Sequence, residues 1–74
     1  MKLPERRTVE ALRREYPAGR RVTLLEMDDP QAPPEGTEGT VMCVDDTGTV
    51  HVRWDTGSSL GAVYGIDRIR TADR

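Results

Sequence analysis

Val50, Val52 and Trp54 alternate with His51 and Arg53, the period of two expected of a half-buried strand. Asp45-Asp46-Thr47-Gly48 precedes this strand and Asp55-Thr56-Gly57 follows it. In each cluster glycine supplies the positive φ that a hairpin loop needs. The stretch from Gly36 to Gly57 therefore reads as two consecutive tight β-hairpins. Around it the pattern predicts a first strand over Arg21 to Met27, with Val22 and Leu24 inward and Leu25 on the other parity. A second strand covers Thr37 to Val44 and a third Thr49 to Trp54. A fourth runs from Ser58 to Tyr64, where Leu60 with Ala62 or Val63 supplies core. Between the first two strands, Asp28 to Gly36 holds three prolines, which lack backbone donors, so this segment is a long, stiff loop. Gly65 breaks the pattern. Ile66-Asp67-Arg68-Ile69 then reads as one 3₁₀ turn or short strand whose two isoleucines plug the barrel, and Thr71 to Arg74 is expected to fray.

Before the strands the period changes. Val9, Leu12 and Tyr16 fall at i, i+3 and i+7, one apolar stripe on a helix from about Glu5 to Glu15. Pro4 is tolerated near its first turn, and Tyr16-Pro17 ends it because a residue before proline is pushed out of the helical region. Pro17-Ala18-Gly19 forms a turn. Arg6, Arg7, Arg13 and Arg14 project away from the stripe, with Glu10 and Arg14 spaced for an i, i+4 ion pair. The stripe must be covered, either by an end or face of the barrel or by a second chain, so both monomer and homodimer are open. Strand, long loop, two tight hairpins and a one-turn connector to a short last strand is the order of an SH3-like barrel. The expected fold is all-β: a small SH3-like barrel of about five strands with an N-terminal amphipathic α-helix. Residues 1–19 form helix and turn, 20–70 the barrel, and 71–74 a tail.

Length narrows the picture. A chain of 74 residues makes one domain, and at that size folding buries only about 60% of the surface the unfolded chain exposes. With no Phe, one Trp and two Tyr, the core is aliphatic around Trp54. The single Cys43 excludes an intrachain disulfide and is expected to pack in its apolar strand, which suits a reducing cytoplasm. The charged N-terminal segment lacks the apolar run of a secretory signal, and no stretch approaches the ~18 apolar residues of a membrane span. Charge is segregated: residues 1–21 carry net +4, residues 22–55 net −7 and residues 56–74 net +1. An acidic barrel repels phosphate backbones, so only the helix offers nucleic acid a basic face.

The residues Met27-Asp28-Asp29-Pro30, followed by PP-x-GT-x-GTV, VDD-x-G, V-x-W-D-x-GSSL and G-x-D, resemble the small bacterial family named domain of unknown function 4314. The likeness runs from Tyr16-Pro17 to Arg70. More weakly, and over the hairpins alone, the chain is similar to the SH3-like repeats of Mind-bomb type ubiquitin ligases, which bind peptide segments of partner proteins. Neither resemblance implies an enzyme.

Candidate chemistry is sparse. His51, the aspartates and Ser58-Ser59 have no spacing of a known nucleophile motif, so no catalytic residue is assigned. His51 lies on the parity opposite Trp54 and is expected to face solvent. Asp28-Asp29 and Asp45-Asp46 lack the alternating ligands and late Glu of an EF-hand loop and read as turn formers; no metal or cofactor is expected. The acidic, proline-stiffened loop suits recognition because a rigid loop loses little entropy on binding. Asp28, Asp29, Asp55, Ser58 and Ser59 are the expected ligand-binding residues, facing a basic protein or peptide. Two alternatives stay open. One is an anion or nucleotide held at Gly57-Ser58-Ser59, which requires Arg53, Arg68 or Arg70 to converge there. The other is nucleic acid on Arg6, Arg7, Arg13 and Arg14.

Overall fold

The computed structural model describes residues 4–72. Helix α1 spans Arg6–Glu15, and Tyr16 leaves the helical region at φ −124°, as Pro17 requires. Glu5 caps the other end through its carbonyl, which accepts from the Thr8 and Val9 amides, while its side chain makes no capping bond. Arg13 and Arg14 occupy the last turn, where the helix dipole favours cations. The predicted Glu10–Arg14 ion pair is replaced by Arg6–Glu10, one turn earlier, at 3.5 Å.

Five strands follow: β1 Arg21–Glu26, β2 Glu38–Val44, β3 Thr49–Trp54, β4 Ser59–Val63 and β5 Arg68–Thr71. They form one antiparallel sheet of order β4-β3-β2-β1-β5. The domain is thus all-β with one short N-terminal helix. Both predicted hairpins are present, closed by Gly48 and Gly57 at φ +83° and +101°. Thr71 does not fray: it pairs with Val22, and the Ala72 amide donates to the Arg21 carbonyl at 2.9 Å. The rest of the predicted tail, residues 73–74, lies outside the described residues.

The core is the one the alternation marks. Val22, Leu24, Val41, Val52 and Trp54 are fully buried, and Val44, Val50 and Ala62 extend the cluster to the helix, whose Val9 and Tyr16 close it. Trp54 keeps its polar edge satisfied by donating Nε1–H to the Leu60 carbonyl at 3.1 Å. Gly39 makes its seat: a Cβ there would stand 2.6 Å from Val52 Cγ1 and 2.8 Å from the indole, closer than packed atoms approach.

Two further expectations fail for identifiable reasons. Cys43 is exposed because β2 bulges between Val41 and Cys43, so Met42 and Cys43 together oppose a single step of β3. The extra residue shifts the parity, sending Cys43 outward beside His51 and returning Val44 to the core opposite Val50. Ile66 is 48% exposed and plugs nothing, because it sits in the turn before β5; only Ile69 packs on the core. Among the described residues no helix is long and apolar enough to cross a membrane.

Candidate functional site

The turn joining β4 to β5 is held from one point. The Val63 carbonyl accepts from both the Ile66 and Asp67 amides, at 3.1 and 2.9 Å, and Gly65 supplies φ +84°. The Asp67 carboxylate then receives the Val63 amide at 2.9 Å on Oδ2 and the Asp28 amide at 2.8 Å on Oδ1. One side chain so fastens the turn to β4 and the root of the proline loop to the turn. Folding the backbone this tightly leaves Tyr64 and Ile66 pointing out, at 53% and 48% exposure.

Beside them lies a groove of about 430 Å³, lined by Leu12 of the helix and Tyr16 just past its end, Leu25 of β1, and Val63, Tyr64 and Ile66 of the corner. Glu15, Asp67 and Arg68 bring charge to it. The Tyr16 hydroxyl reaches the Ile69 carbonyl at 3.5 Å, and burial, reinforced by the neighbouring Glu15 carboxylate, raises its pKa above that of a free phenol. It therefore stays a neutral donor.

The predicted ligand-binding set is divided by the fold. Asp28 and Asp29 stand at the groove end, the Asp28 amide hydrogen-bonded to the Asp67 carboxylate and Asp29 capping the Gln31 amide at 2.7 Å. Asp55, Ser58 and Ser59 stand at the other end of β3. Val63, beside the groove, pairs with Thr49 at the start of β3, whereas Asp55 follows its last residue, Trp54. Six residues at ~3.3 Å each separate the two groups by about 20 Å. Asp55 is also occupied: Arg21 grips it with both Nη atoms, while Nη1 donates to Thr40 Oγ1 at 3.0 Å and Nη2 to Glu38 at 3.2 Å. That hydrogen-bonded guanidinium holds the Asp55 carboxyl below the usual carboxylate range. Ser58 Oγ is buried without a hydrogen-bond partner among the described residues.

The basic face is thinner than predicted. Arg13 folds back on the barrel, donating Nε–H to the Val44 carbonyl at 3.1 Å and Nη2–H to Asp46 at 2.8 Å. Arg6 pairs with Glu10, which leaves Arg7 and Arg14 without a partner among the described residues. Arg53 faces Ser59 and Thr40, whereas Arg68 and Arg70 face β1 from the other margin of the sheet, so the three do not converge on Gly57-Ser58-Ser59.

Asp45 is the hub of the first hairpin. Its Oδ1 receives the Thr47 amide, the Thr47 hydroxyl and the Thr49 amide at 2.9, 2.6 and 3.1 Å, and its Oδ2 meets His51 Nε2 at 2.8 Å. The Thr47 hydroxyl, His51 and the two amides hold its carboxyl far below the ordinary range. His51 faces outward as predicted, but onto Asp45. No serine hydroxyl joins that pair among the described residues, and no group of three or more His, Cys, Asp or Glu there is placed to hold a metal ion.

Sequence reasoning missed the groove residues Leu25, Tyr64 and Ile66. Their signal was present: Leu25 is apolar on the outward parity, and Tyr64-Gly65-Ile66 sets two large apolar side chains in a turn.

Neither a curated protein nor a solved structure matches the chain, and the comparisons do not show the likeness to Mind-bomb type repeats. Residues 5–72, covering helix, turn and all five strands, match the family described as Domain of unknown function (DUF4314). The chain belongs to that family.

Proposed function

We propose that this protein is a non-catalytic binding module that takes an extended peptide segment of a partner protein in the groove between helix α1 and the β4–β5 corner. One observation carries the reading: of the three large apolar side chains that are exposed among the described residues, Tyr64 and Ile66 flank this groove. Exposed aromatic and aliphatic side chains grouped around a concavity mark recognition surfaces. The strand order, a meander of four with the fifth returning to the first, supports an SH3-like barrel as the scaffold. Charge specifies the segment further. The proline loop carrying Asp28 and Asp29 is tied to the groove through Asp67, and Glu15 stands on its opposite side, so apolar residues flanked by Lys or Arg fit best. The exposed, unpaired thiol of Cys43 supports a reducing, cytoplasmic setting.

The test is an amide NMR titration with two ten-residue synthetic peptides that share a Leu-Pro-Leu centre and carry either flanking lysines or flanking glutamates. The lysine peptide is expected to shift Leu25, Val63, Tyr64 and Ile66. Tyr64→Ala and Ile66→Ala, both exposed and so harmless to folding, are expected to weaken it by about tenfold each. Shifts confined to Arg7 and Arg14 on adding a short DNA duplex, lost at higher salt and with neither peptide shifting the groove, would replace this reading with a phosphate-backbone partner.

A further inference from the structure

The two margins of the sheet are treated differently by the fold. Strand β5 carries Arg68 and Arg70, and the Tyr16 hydroxyl reaches the Ile69 carbonyl on its outer side. Charges on a margin strand are a usual defence against pairing with another chain. Strand β4, Ser59-Leu60-Gly61-Ala62-Val63, carries no charge, no proline and no bulge.

Which groups β4 leaves open follows from its pairing. The Trp54 amide donates to the Ser58 carbonyl at 2.8 Å, so that pair is hydrogen-bonded. In an antiparallel ladder every second pair is, which makes 52/60 and 50/62 the bonded ones. The backbone groups of Ser59, Gly61 and Val63 consequently point outward. Val63 is satisfied locally, its amide on Asp67 and its carbonyl by the Ile66 and Asp67 amides. Two donors and two acceptors remain, the N–H and C=O of Ser59 and of Gly61.

We propose that this margin pairs with the β4 of a second copy, antiparallel about a two-fold axis at Leu60. In that register Ser59 of each protomer meets Gly61 of the other as a bonded pair. All four open groups on each side are thereby satisfied by four hydrogen bonds, and no other group is called on. Leu60, packed on the core yet only partly buried, faces its own copy across the axis. Register, group count and the absence of charge are thus self-complementary, as a two-fold contact demands. The proposal rests on the backbone of Ser59 and Gly61, neither of which lines the groove.

The test is amide hydrogen exchange at low and at millimolar protein concentration, with sedimentation equilibrium over the same range, on the wild-type chain and on Ser59→Pro and Ser59→Lys. Proline is compatible with an outward N–H on a margin strand. Exchange of the Ser59 and Gly61 amides is expected to slow by about tenfold or more in the concentrated sample, with Val63 unchanged and the mass rising toward a dimer. Both variants are expected to stay monomeric with an unchanged near-ultraviolet signal from Trp54. A wild-type chain monomeric at millimolar concentration overturns the proposal. So does a dimer that survives in correctly folded Ser59→Pro, or a monomer whose β4 amides shift only when a synthetic strand peptide of Gly57 to Val63 is added.

Discussion

The two hairpin turns look alike in sequence, Asp-Asp-Thr-Gly after β2 and Asp-Thr-Gly after β3, yet their leading aspartates act over different distances. Asp45 works locally. All its partners lie within six residues, and it organises the turn much as a helix cap organises a first turn. Asp55 works across the sheet, clamped by Arg21 from β1 with Glu38 and Thr40 beside it. An aspartate at a turn thus has two available roles: the Thr47 hydroxyl, the Thr47 and Thr49 amides and His51 capture Asp45, whereas Asp55 reaches for a distant arginine.

The glycines of the two turns give the largest expected separation. At Gly48, φ is +83° and an added Cβ would lie 2.9 Å from Pro4 Cγ; at Gly57, φ is +101° but nothing stands within 4 Å. Gly48→Ala combines backbone strain with a clash and is expected to destabilise by about 3 kcal/mol, against about 1 kcal/mol for Gly57→Ala, in urea melts followed by Trp54 fluorescence. Equal losses would erase the distinction.

Next comes the hub itself. Asp45→Ala removes the acceptor for three donors on Oδ1 and for His51 on Oδ2, and because water reaches the turn the expected loss is about 1–2 kcal/mol, the range of a lost cap. His51→Ala should cost less than Asp45→Ala, since it removes one of the partners of the carboxylate and leaves Thr47 and the Thr49 amide in place.

Acid acts on both turns in the same direction, because both carboxyls are held below the ordinary range, and most strongly on Asp45. The folded Asp45 carboxyl titrates below its unfolded value of about 3.9, so its contribution is complete above that pH and is lost as pH falls toward the folded value. Melts between pH 5 and pH 2 should show the wild-type chain losing stability more steeply than Asp45→Asn. Parallel curves would remove Asp45 as the source.

The smallest effect belongs to Asp55→Ala. Its ion pair with Arg21 is largely solvated, Glu38 remains as a second partner, and the loss should be below that of Asp45→Ala and vanish in 1 M NaCl. A loss that persists in high salt would show the clamp to be more than a screened pair.

Local chemistry explains what was readable from the residues alone. The period of two around Trp54, glycine at each hairpin, the proline loop, the apolar stripe of Val9, Leu12 and Tyr16, and the stop at Pro17 rest on constraints spanning a few residues. The helix, the first four strands and the family were legible for that reason, whereas β5 runs on through Thr71, where fraying was expected. The tertiary structure alone decided the rest. The bulge that turns Cys43 outward depends on pairing with β3, and the grip of Arg21 on Asp55 spans 34 residues. The bond from Asp28 to Asp67, 39 residues apart, sets the proline loop beside the groove rather than beside the second hairpin. Contacts at such separations are set by how the sheet is ordered and twisted, which no local pattern encodes.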